Sequence, residues 1–94
     1  MDEMDQQSSL GERVLIVEDD PATRSGLTEL VGAWGFLTEE AADGEEALRK
    51  VTTVRPAIIV SDLVMPRMGG HELLRARKDQ LSDITFVLLT AQGT

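Results

Sequence analysis

Cysteine is absent from the 94 residues, which excludes disulfides and thiolate metal sites. Basic residues are few. Nine Lys and Arg stand against 17 Asp and Glu, and the formal net charge of -8 repels nucleic-acid phosphate and anionic lipid, arguing against direct DNA binding by this chain. No apolar run approaches membrane-spanning length, and the acidic, polar opening Met1–Ser9 has neither the basic start nor the apolar centre of a secretory signal. The expectation is a cytoplasmic protein with a solvated tail over residues 1–11 and one small domain over 12–94. The only histidine, His71, follows two glycines at the expected start of a helix, where a partly exposed packing residue is the ordinary outcome.

What the chain does have is a set of short apolar runs that each stop at a polar residue. Val14–Val17 is β-branched and short, suits a buried parallel strand, and ends abruptly at Glu18-Asp19-Asp20. Asp20-Pro21 supplies a helix cap and a first-turn proline. Leu27, Leu30, Val31 and Trp34 then recur at helical spacing, and Gly35 stops the helix. A weaker strand begins at Phe36-Leu37-Thr38. Asp43-Gly44 opens a second helix carrying Ala47, Leu48 and Val51, and Pro56 separates it from a strand over Ala57–Ser61. After Asp62 come a loop punctuated by Pro66, Gly69 and Gly70, a third helix with Leu73, Leu74 and Leu81, and a fourth strand over Thr85–Leu89. This alternation predicts an α/β fold: a mainly parallel sheet with helices on both faces, whose ligands gather beyond the carboxyl ends of the strands.

Glu18, Asp19, Asp62 and Thr90 all fall at such ends. Carboxylates crowded at one edge repel each other unless a hard cation with oxygen ligands offsets their charge, and Mg2+ is the natural candidate. Asp62 and Asp19 would hold it directly, Glu18 through a water, and one loop carbonyl would complete the set, leaving positions for phosphoryl oxygens. An ionised aspartate beside that ion is a competent nucleophile toward an activated phosphoryl group. Asp62, placed directly after a buried run and before Met65-Pro66 and paired glycines, is the candidate; Asp20 reads as a helix cap, and Trp34 as core with its indole edge near the surface. Arg75, Arg77 and Lys78 read as a solvated helix face.

Four segments together resemble the receiver domain of bacterial two-component response regulators: Val14–Asp20, Asp43–Leu48, Ser61–Gly70 and Leu88–Ala91, in that family's order and spacing. The resemblance implies a flavodoxin-like doubly wound sheet of order 2-1-3-4. It implies Glu18 and Asp19 as the acidic pair at Mg2+, Asp62 as acceptor of phosphate from a sensor histidine kinase, and the Val64 backbone carbonyl as a further metal ligand. Thr90 becomes the switch hydroxyl that moves toward the phosphoryl group, and Ala91 the small neighbour that leaves it room. Complete receivers have five strands and five helices and a lysine that pairs with the phosphoryl group; the likeness here stops after the fourth strand, and neither Lys50 nor Lys78 matches that lysine. The expectation is a C-terminally partial receiver, of low stability, self-associating through its fourth strand or dependent on a missing segment, with a phosphoacceptor role or, as the alternative, a non-switching interaction role. Gly69 stands where the family often has aspartate, and glycine still suits the turn. A metal-dependent phosphatase with an aspartate nucleophile would want a second acid where Val64 stands, and a nucleotide site would want a phosphate-cradling loop where Glu18-Asp19-Asp20 stands. The closing Leu-Leu-Thr-Ala-Gln-Gly-Thr further resembles receivers at the front of enhancer-binding transcription activators.

Overall fold

Arg13–Val17 forms the first strand, β1, and four of its five residues are buried because the strand lies between two other strands and under a layer on each face. A computed structural model describes residues 11–62, 75 and 83–89. The elements that follow β1 are α1 (Pro21–Ala33), β2 (Leu37–Ala41), α2 (Gly44–Val54), β3 (Ile58–Asp62) and β4 (Thr85–Leu89). The four strands are parallel and lie in the order β2-β1-β3-β4. From β1 the chain steps outward to β2, then crosses back to place β3 on the other side of β1. That reversal opens a crevice at the carboxyl ends of β1 and β3.

Strand alternation divides the core in two. Val14 and Ile16 point to one face and pack with Val31 of α1, with Leu27, Phe36, Ile58 and Val60 around them. Leu15, Val17 and Ile59 point to the other and pack with Ala41, Ala47 and Val51, flanked by Leu48, Ile84 and Phe86. Helices therefore cover opposite faces, and each fully buried Leu or Ile contributes roughly 1.5–3 kcal/mol of transfer free energy.

The caps are where the sequence put them. Asp20 accepts from the Thr23 N–H at 2.9 Å and Asp43 from the Glu46 N–H at 2.9 Å, while Glu46 accepts from the Ala42 N–H at 2.7 Å. Gly35, with φ of 101°, ends the α1 segment in a conformation that a side chain rarely adopts.

Two expectations are corrected. Trp34 is 64% exposed and Leu30 48% exposed, so only Leu27 and Val31 of the apolar stripe face the sheet. Trp34 is the C-cap residue of α1, already off helical geometry with ψ of 0°. The third strand runs one residue later than read, Ile58–Asp62, so Asp62 is itself the last strand residue and pairs in register with Leu89. The third helix lies outside the described residues except for Arg75, which is helical and exposed.

Candidate phosphoacceptor site

The crevice at the sheet's carboxyl edge is bounded by the two residues after β1 and the last residue of β3. Glu18 continues the β1 ladder: its N–H donates to the Ala41 carbonyl at 3.0 Å. The chain then turns, and the Asp20 N–H donates back to Glu18 Oε2 at 3.0 Å. Glu18 is only 7% exposed, Asp19 is exposed and Asp62 half-buried. One carboxylate oxygen from each of the three lies within 4.8 Å of the others.

Electrostatics at this cluster are unfavourable as it stands. Burial pushes the Glu18 carboxyl above its ordinary range, and the neighbouring Asp62 and Asp19 carboxylates push it further in the same direction. The Asp20 N–H opposes the shift by bonding the ionised form. Asp20 belongs to the cap: its carboxylate accepts from both the Thr23 hydroxyl and the Thr23 N–H, and those bonds hold its pKa below the usual value.

The donor set fits a hard divalent cation. Two oxygens on opposite sides of Mg2+ bound at about 2.1 Å lie about 4.2 Å apart. One oxygen from each acid already lies within 4.8 Å of the others, and an ion held among them would also offset the repulsion that raises Glu18.

Val64, Thr90 and Ala91 lie outside the described residues, as does the glycine-punctuated loop. Lys50 is committed elsewhere: its ammonium donates to the Glu40 carbonyl and pairs with Glu46 at 3.4 Å. Sequence reading passed over two residues beside the acids. Ser61 is fully buried and its hydroxyl donates to the Asp62 carbonyl at 3.0 Å. Arg24 donates to the Glu18 carbonyl at 2.8 Å and faces Glu40 at 3.5 Å. Its position one helical turn after the capping Asp20 was the available signal.

The family described as the response regulator receiver domain matches residues 14–94. The chain belongs to the response regulator receiver family. The receiver is 38% identical over 82 residues to response regulator MprA of Mycolicibacterium vanbaalenii, an alignment covering 87% of this chain and 36% of that protein. It thus spans about a third of the length of the curated relatives it matches. Among solved structures, chemotaxis protein CheY4 of Vibrio cholerae superposes with a TM-score of 0.81 at 32% identity, covering 89% of this chain and 72% of that one. A CheY-like receiver domain protein of Methanospirillum hungatei gives 0.82 at 26% identity, covering 89% and 67%. The receiver therefore has the flavodoxin-like parallel sheet expected from its sequence, and receivers of this family are signalling modules.

Proposed function

We propose that this receiver accepts a phosphoryl group from a sensor histidine kinase on the Asp62 carboxylate, with Mg2+ held by Glu18, Asp19 and Asp62. The observation that carries the reading is the convergence of one oxygen from each acid, delivered from two adjacent strand ends at the reversal of strand order. A carboxylate oxygen of Asp62 attacks phosphorus as the phosphorus–nitrogen bond to the kinase histidine breaks, leaving an acyl phosphate on Asp62 and an imidazole on the kinase. Water later releases inorganic phosphate and restores the carboxylate. Mg2+, when bound, offsets both the carboxylate repulsion and the charge of the phosphoryl oxygens. Glu18, fixed by the Asp20 N–H and buried, orients the metal side of the site, and Asp19 supplies its exposed ligand. Thr90 as switch hydroxyl, Ala91 as its small neighbour and the Val64 carbonyl as a further ligand complete the proposal. So do a receiver unit over 12–94, an acidic tail over 1–11 and a cytoplasmic setting; no described helix is long and apolar enough to cross a membrane.

The test is intact mass after incubation with acetyl phosphate and Mg2+. The expected result is the addition of one phosphoryl group, lost in Asp62→Ala and when the divalent ion is chelated. Equal labelling of Asp62→Ala contradicts the assignment.

A second role, self-association, is favoured by β4. Among the described residues this strand pairs only with β3, Val87 is 40% exposed, and Ile58 and Val60 beside it are only partly covered.

A further inference from the structure

Arg24 ties three elements together beside the acid cluster. It is the fourth residue of α1, and its backbone N–H donates to the Asp20 carbonyl at 2.8 Å, which fixes the first turn. Its side chain is 20% exposed and leans toward the sheet edge, where Nη1 donates to the Glu18 carbonyl at 2.8 Å and Nε lies 3.5 Å from Glu40 Oε1 on β2. Glu18 is thereby held at every polar group of its main chain, through Ala41 on one side and Arg24 on the other.

We propose that Arg24 is a positioning residue for the divalent-ion site: by holding the Glu18 carbonyl it sets the direction in which Glu18 and Asp19 project toward Asp62, an assignment that rests on the divalent-ion reading above. The ion pair with Glu40 is partly solvated and by itself adds little. Its effect is to aim the guanidinium, and the charge-assisted bond to a carbonyl in the turn supplies the rigidity. The planar fork of arginine serves both partners at once; a lysine ammonium in its place reaches one or the other.

Two physical effects of Arg24 on a bound cation have opposite signs. A guanidinium near the site repels Mg2+ through space, so removing it tightens binding. A positioning role predicts that removal loosens it, as loss of the groups behind first ligands does in other metal sites. The sign of the change decides between them.

The experiment titrates the full chain with Mn2+, reading the free ion by electron paramagnetic resonance, in wild type, Arg24→Ala, Arg24→Lys, Glu40→Gln and Asp62→Asn. It also measures amide hydrogen exchange without metal. Positioning predicts about tenfold weaker Mn2+ binding in Arg24→Ala. A smaller loss follows in Arg24→Lys and the least in Glu40→Gln, with faster exchange at the Glu18 and Asp20 amides while those of Leu15 and Ile16 stay protected. Should Arg24→Ala fail to fold, the other two variants carry the comparison. Unchanged or tighter Mn2+ binding in folded Arg24 variants overturns the assignment, as does faster exchange spread evenly along β1, the mark of a merely structural role. A wild type that binds Mn2+ no better than Asp62→Asn overturns the divalent-ion reading itself, and is distinguished from the first failure because that comparison involves no Arg24 variant.

Discussion

Glu18 carries a conflict that only its surroundings create. Its carboxyl is buried and faces two other acids, so ionisation costs more in the fold than in the unfolded chain. The folded pKa lies above the unfolded one, so the associated stability is fully present below the ordinary glutamate range and is lost as pH rises through the raised value. Without divalent ions, Glu18→Gln should therefore melt higher than wild type at neutral pH, because the variant carries no charge to bury beside Asp62 and Asp19. The gain should fade as the pH falls through and below the ordinary glutamate range, and reverse in saturating Mg2+, where the charge becomes useful. Thermal melts over that pH range check it; a variant less stable than wild type at neutral pH without metal contradicts it. The acids were legible in the sequence because each ends an apolar run. The burial of Glu18 was not legible, since it depends on the Asp20 N–H turning back and on Arg24 holding the carbonyl, contacts set by the tertiary path of the loop.

Among the elements, α2 shows how local signals fix a boundary. Asp43 caps its first turn, Glu46 reaches back to Ala42, and Lys50 links Glu46 to the Glu40 carbonyl on β2. Asp43→Ala should lower stability by about 1 kcal/mol, the usual cost of losing an N-cap. It should leave Mn2+ affinity unchanged, because the cap serves the helix and not the acids. Denaturant unfolding beside a Mn2+ titration checks both parts. Helix starts and strand cores were readable from caps and β-branched runs. The outer limits of the α1 stripe were not: Leu30 and Trp34 keep helical spacing, yet whether they meet the sheet depends on helix roll and on where the last turn unwinds.

At the scale of the whole molecule, parallel order β2-β1-β3-β4 follows from alternating strands and helices, and with it the place where a site must form. On the α1 side, Val14 and Ile16 are sealed by Val31, whereas Ile58 and Val60 stay half-buried and Val87 is exposed. The second role proposed for β4 predicts a weight-average mass that rises with concentration in sedimentation, and a shift back toward monomer in Val87→Lys, which places charge on that edge. A concentration-independent monomer contradicts that role without touching the site.

The central claim is that Glu18, Asp19 and Asp62 form one divalent-ion site beside the acceptor oxygen. Anomalous diffraction from crystals of the chain soaked in Mn2+ tests it most directly. The account predicts a single strong peak at about 2.1 Å from oxygens of Asp19 and Asp62, near the coordination distance of Mg2+, with Glu18 on the same ion directly or through a water. A peak elsewhere, or three acids that stay apart with no peak between them, contradicts it.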